Sequence, residues 1–206
     1  MIKVLMTDFD GVIRHWNNKK LFLFEKDNAL EEGFLFSYAF RDEFLNPAML
    51  GEITHEKWLE NVRKGLKRNF RRNGRRELLA NELIDHWQDS TFTLDFEPLD
   101  DYQRCFPDLP IVLASNATTL LNKDIENTNL PKRLSHIINS SEIGYIKPDL
   151  LFFESAFKAL QCAADEVVFI DDQKINVEAA NSLGIHGFHF TSRCTLANSF
   201  RGFCSG

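Results

Sequence analysis

Short apolar runs recur along the chain, separated by longer stretches with helical patterning. Ile2-Lys3-Val4-Leu5-Met6 is a β-prone run that ends in Thr7-Asp8-Phe9-Asp10-Gly11. Further buried-strand signals stand at Ile111-Val112-Leu113-Ala114, His136-Ile137-Ile138 and Val167-Val168-Phe169-Ile170, and from Ile185 to Phe190. Helix-length stretches lie between them, at about 117–128, 149–161 and 173–183, the last followed by Gly184, a natural helix C-cap. Strand and helix in alternation predict an α/β fold with a doubly wound parallel sheet. In such sheets the working residues lie just beyond the carboxyl ends of the strands.

Residues 17–90 break the alternation. They hold charged, amphipathic segments and no convincing β run. Between Thr54 and Asn73, the residues Leu59, Val62, Leu66 and Phe70 fall within about 80° of one another at ~100° per residue, and basic residues fill the opposite side. The expected organisation is therefore a core from residues 1–16 and 91–206, with 17–90 as a helical insertion.

A chain of 206 residues can bury one core, or one core with a smaller insertion. The 19 Phe are expected to fill that core. The run from Met1 to Met6 is too short for a signal sequence, and no stretch approaches the roughly 20 apolar residues of a membrane span. These features give a cytoplasmic expectation with no membrane partner. Cys105, Cys162, Cys194 and Cys204 are scattered, with no C-x-x-C pair, which argues against structural zinc and for reduced thiols. A net charge of −6 argues against a dedicated nucleic-acid binder. Against that total stands one basic run: Arg63, Lys64, Lys67, Arg68, Arg71, Arg72, Arg75 and Arg76.

Four pieces carry candidate chemistry, and each has a plainer reading. In Asp8-Phe9-Asp10-Gly11-Val12-Ile13, two carboxylates past a strand end can serve as nucleophile and proton carrier, with Gly11 allowing a tight turn. Such pairs also occur in ordinary loops. Ser115-Asn116 offers a hydroxyl and amides to phosphate oxygens, or simply caps the next helix. In Lys147-Pro148, a cation on restricted backbone can neutralise a transferring group, or it is a solvated lysine. Asp171-Asp172, at the end of an apolar strand, supplies hard oxygen ligands suited to Mg²⁺, or an N-cap favoured by the helix dipole.

Taken together and in this order, the four pieces resemble the motifs of the haloacid dehalogenase superfamily. The resemblance covers residues 1–16 and about 91–190, and the insertion stands where that family carries its small helical (C1-type) cap; Gly51-Glu52-Ile53-Thr54 looks like a pattern common in such caps. It implies a Rossmann-like core and a phosphatase working through an aspartyl-phosphate on Asp8, with Asp10 as acid and base. It further implies Mg²⁺ held by the Asp8 carboxylate, the Asp10 carbonyl and Asp172, with Asp171 binding directly or through water and Asn176 in support. Ser115, Asn116 and Lys147 would hold the phosphate. The implied substrate is a small phosphorylated metabolite, a sugar phosphate or similar monoester. The rivals are a phosphomutase on the same fold and a haloacid dehalogenase, which Asp10 counts against. A binding module using the basic helix is the non-enzymatic alternative. Arg14, His15 and Trp16 are candidates for the entrance, while His55, Trp58, His86 and Trp87 are expected in the core or on the surface.

Overall fold

The computed structural model describes residues 1–192. Its centre is a five-stranded, all-parallel sheet built from β1 (Val4–Thr7), β4 (Ile111–Ser115), β5 (His136–Asn139), β6 (Val167–Asp171) and β7 (His186–His189). Their spatial order is β5-β4-β1-β6-β7, so the chain leaves the central strand first to one side and then to the other. All five strands match the apolar runs of the sequence. Alternate residues serve opposite faces, as the twofold period of a strand requires. Leu5 joins an apolar cluster with α6 (Glu97–Cys105) and α7 (Leu121–Glu126). Val4 and Met6 join another with α9 (Leu150–Leu160) and α10 (Lys174–Ser182). Helices thus cover both faces, and the fold class read from the sequence stands.

Between β1 and α6 the chain forms α1 (Lys19–Asp27), α2 (Phe34–Ala39), α3 (Asp42–Met49), α4 (His55–Arg72) and α5 (Leu79–Gln88). These helices share an apolar cluster of their own, which includes Leu59, Val62, Leu66 and Phe70 of α4. The side of α4 that the sequence assigned to burial is the buried side. Thr54 caps this helix, its Oγ1 accepting from the Lys57 amide at 3.3 Å.

Two short strands that the sequence reading did not anticipate bracket the helical stretch. β2 (Arg14–Asn17) and β3 (Thr91–Leu94) pair antiparallel, with Trp16 opposite Phe92. Both are four residues long and largely exposed, so neither shows the apolar run that marks a core strand. Gly51, at φ +74°, brings the loop before α4 against the Ser141 carbonyl, where a Cβ would overlap that oxygen. Ser141 belongs to α8 (Ser140–Ile143). The expectation of reduced thiols is corrected at Cys105, which is disulfide-bonded; Cys162 is a free cysteine, and Cys194 and Cys204 lie outside the described residues. Among the described residues, no helix is long and apolar enough to cross a membrane.

Candidate active site

The carboxyl ends of β1, β4 and β6, three neighbouring strands, bring the sequence motifs together at the point where the strand order reverses. Lys147 is at the centre. Its Nζ donates to Asp8 Oδ1 at 2.9 Å, to Asp171 Oδ2 at 2.7 Å and to the Ala114 carbonyl at 2.8 Å. The plainer reading of Lys147 as a solvated surface lysine does not hold, because the residue is 4% exposed. Asn116 fixes this lysine through its backbone. Its Oδ1 accepts from the Lys147 amide at 2.7 Å and its Nδ2 donates to the Lys147 carbonyl at 2.8 Å. The Lys147–Pro148 peptide is cis. Ser115 is buried at the end of β4, beside this clamp.

Asp171 is fully buried and held from several directions. Its Oδ1 accepts from the Gln173 amide at 2.7 Å, and Asn176 Nδ2 lies 3.1 Å from each carboxylate oxygen. Asp172 is half-buried beside Gly11. Gly11 sits at φ +82°, and a Cβ there would overlap the Asp172 carboxylate, so this turn needs glycine for both conformation and space. Asp8, Asp171 and Asp172 each present a carboxylate oxygen, and these atoms lie within 4.8 Å of one another. Burial pushes the Asp8 carboxyl well above its ordinary value, to about 7; Lys147 opposes the shift and Asp171 adds to it. Burial would lower Lys147, but Asp8 and Asp171 outweigh it and hold the ammonium above its usual range. Burial also raises Asp172. Three carboxylates facing one ammonium leave an excess of negative charge. A hard divalent cation with oxygen preference, such as Mg²⁺, fits both that charge and that donor set.

The Asp10 side chain points elsewhere. Arg14 grips it with two bonds, Nε to Oδ1 at 2.7 Å and Nη2 to Oδ2 at 2.6 Å, and Trp16 Nε1 donates to Oδ1 at 2.9 Å. The third arm of Arg14 reaches Asp124 of α7 at 2.7 Å, and its guanidinium packs over the rings of Phe9 and Trp16 at 4.3 and 4.6 Å. Of the three entrance candidates, Arg14 and Trp16 line the cavity onto which Asp10 opens, in a role that the sequence did not reveal, and the exposed His15 does not line it. The spacing from Asp10 to Arg14 was available as a clue; the distant partner Asp124 was not.

Asp10 opens onto a cavity of about 560 Å³ between the sheet and the helices of residues 17–90. Trp58, Trp87 and His55, expected in the core or on the surface, line this cavity. His55 Nδ1 lies 2.9 Å from Thr118 Oγ1, and its amide donates to Thr119 Oγ1 at 3.1 Å. None of the basic residues from Arg63 to Arg76 lines it. Several are tied to local acids or carbonyls: Lys64 to Glu60 at 2.5 Å, Arg71 to Glu77 at 2.6 Å, and Arg75 to the Asn28 carbonyl at 2.9 Å.

Residues 23–189 match the model of the family described as haloacid dehalogenase-like hydrolase. Over 65 residues, 32% of this chain and 33% of the relative, the sequence is 42% identical to the sesquiterpene phosphatase astK of Aspergillus oryzae. Over 54 residues, 26% of this chain and 10% of the relative, it is 41% identical to the drimenol cyclase drtB of Aspergillus calidoustus. The matches thus span about a third and a tenth of these relatives. Among solved structures, a HAD family enzyme of Bacteroides thetaiotaomicron, in complex with magnesium and inorganic phosphate, superposes with a TM-score of 0.68. That likeness, at 20% identity over 92% of this chain and 94% of the other, is one of fold.

Proposed function

Because the chain belongs to the haloacid dehalogenase-like hydrolase family, we propose that it is a Mg²⁺-dependent phosphatase that hydrolyses a phosphomonoester through an aspartyl-phosphate on Asp8. The observation that carries this reading is the Lys147 ammonium between Asp8 and Asp171, with Asp172 alongside. A buried carboxylate at a strand end, in bonding distance of a buried cation, is positioned as a nucleophile toward an anionic group. The family match begins after Asp8 and Asp10, so their roles rest on this geometry and on the motif order. The phosphatase name of one relative supports the same reading.

Each residue then has a definite task. Asp8 Oδ attacks phosphorus in line as the ester oxygen leaves, forming the acyl phosphate. Lys147 and the Ser115–Asn116 segment hold the phosphate oxygens, and the Asn116 clamp keeps Lys147 in place. Asp10 gives its proton to the leaving oxygen, then takes one from the water that cleaves the acyl phosphate. Arg14 orients the Asp10 carboxylate through its two hydrogen bonds. Mg²⁺ would be held by Asp8, Asp172 and the Asp10 carbonyl, with Asp171 directly or through water, and would supply charge neutralisation between nucleophile and phosphate. The helices between residues 17 and 90 act as a cap that limits water at the site. Asp10 favours this chemistry over halide displacement, which requires no proton donor.

The test is hydrolysis of para-nitrophenyl phosphate. Activity with Mg²⁺, lost in excess chelator and in folded Asp8→Asn protein, supports the proposal. Undiminished activity in chelator or in Asp8→Asn protein refutes it.

A further inference from the structure

Cavities that hold small molecules are commonly apolar, with a few placed polar groups that fix orientation. The cavity above Asp10 has an unusually aromatic wall. Phe36, Phe40, Trp58 and Trp87 face it from the helices, and Trp16 and Phe92 face it from the β2–β3 ribbon. The rings brace one another: Phe36 stacks on Phe40 at 5.3 Å, Trp58 meets Trp87 edge-on at 5.3 Å, and Trp16 meets Phe92 at 5.2 Å. All three tryptophans of the chain are in this wall. Trp16 and Phe40 remain 41% and 47% exposed, so apolar ring surface is left open to solvent beside the reactive end of the sheet.

The polar groups of the lining are mostly committed to one another. Arg14 is taken by Asp10 and Asp124, His55 lies against Thr118, and Asn116 holds Lys147. Among the described lining residues, the buried polar atoms without a protein partner are Asn18 Oδ1 and Ser90 Oγ. These two residues flank the paired ends of β2 and β3, where Asn17 faces Thr91. Most hydroxyls of a sugar would lose water against the aromatic wall without gaining a partner. A hydrocarbon loses nothing polar and covers the exposed rings.

We propose that this chamber receives the organic group of the substrate, and that the substrate is the phosphomonoester of a bulky, largely hydrocarbon alcohol rather than of a sugar. This rests on the phosphatase reading above and narrows the small-metabolite expectation.

The test has two arms with separate readouts. In the first, kcat/KM is measured with Mg²⁺ for a series of alkyl and alicyclic monophosphates and for glucose 6-phosphate and glycerol phosphate. Each methylene that enters the chamber is expected to raise kcat/KM about fourfold until the space is full. The best hydrocarbon ester should exceed the sugar phosphate by a hundredfold or more. In the second arm, quenching of tryptophan fluorescence reports binding of a neutral hydrocarbon alcohol to the wild-type protein in chelator, where no turnover is needed. Binding is expected, with at least a tenfold loss in Phe40→Asp, a position 47% exposed, in protein whose circular dichroism and Tm show it to be folded.

Alcohol binding without hydrolysis of any ester would overturn the phosphatase reading and keep the chamber's assignment. Hydrolysis with equal or better use of sugar phosphates, or no alcohol binding by the wild-type protein, would overturn the substrate class. Binding unchanged in Phe40→Asp would place the alcohol elsewhere and also overturn it.

Discussion

Replacing Lys147 by methionine removes a cation that the fold has buried for a reason. The Lys147 side chain is 1% exposed, and those of its carboxylate partners Asp8 and Asp171 are 10% and 0% exposed. Methionine can follow the apolar stem past Phe152 and Phe169, the rings that lie 5.8 and 5.3 Å from Nζ. Packing is therefore largely kept, while two carboxylates and the Ala114 carbonyl lose their donor. Removing one partner of a buried pair typically costs about 3–5 kcal/mol, because the other charge stays buried and uncompensated. At this chain length the expected fall in Tm is roughly 6–20 °C. The sign with pH follows from Asp8, whose carboxyl is already raised by burial. Without Lys147 that carboxyl rises further, and its protonation removes the uncompensated charge. The loss should be largest at alkaline pH and shrink as pH falls through the raised value. Urea unfolding of wild type and Lys147→Met, in chelator at pH 8 and pH 6, measures both effects, and adding Asp171→Asn should restore part of the loss. A loss below about 1 kcal/mol at pH 8, or one that grows on acidification, would show that the buried ammonium is not what balances these carboxylates.

Three further outcomes are expected. Asp10→Asn should lower kcat for an alkyl phosphate by a hundredfold or more, and less for para-nitrophenyl phosphate, whose leaving group needs little protonation; equal losses would remove Asp10 as the acid. His55 is held below its ordinary pKa by burial, so the unfolded chain takes up the proton first, and stability should drop as pH falls below the unfolded value of about 6.5. A shallower pH dependence of Tm in His55→Asn checks this assignment, and an unchanged profile contradicts it. Neutralising Lys67, Arg68, Arg71 and Arg72 together should change kcat/KM for a monophosphate by less than about tenfold, as steady-state kinetics will show. None of these four lines the cavity.

The parallel core was legible because β1, β4 and β6 are apolar runs with a motif directly at the end of each, and because weaker signals mark β5 and β7. Asp8, Lys147, Asp171 and Asp172 converge as the order of those motifs implies. The ribbon of β2 and β3 was not legible, since Arg14-His15-Trp16-Asn17 carries neither alternation nor a β-branched residue, and the alternating Thr91-Phe92-Thr93-Leu94 is only four residues long with no partner strand evident in the sequence. The aromatic chamber was hidden for a different reason. A tryptophan on an amphipathic helix has the same pattern whether it packs in a core or lines a cavity, and Trp58, itself 3% exposed, does both. Phe40 and Trp87 gather there only through the packing of α2 and α5 against α4. The bonds from Arg14 to Asp10 and Asp124 likewise join residues 4 and 110 positions apart, and the second of these is set by the fold alone.

The central claim is that Asp8 becomes covalently phosphorylated during turnover. Protein turning over para-nitrophenyl phosphate with Mg²⁺ can be quenched in acid and treated with tritiated borohydride, which reduces an acyl phosphate and labels the carbon that carried it. Peptide mapping then locates the label. Label is expected at Asp8 only when substrate and Mg²⁺ were both present, with more of it in Asp10→Asn, where the second step is slowed. Label at another carboxylate, or sustained hydrolysis with no label above the substrate-free control, would contradict it.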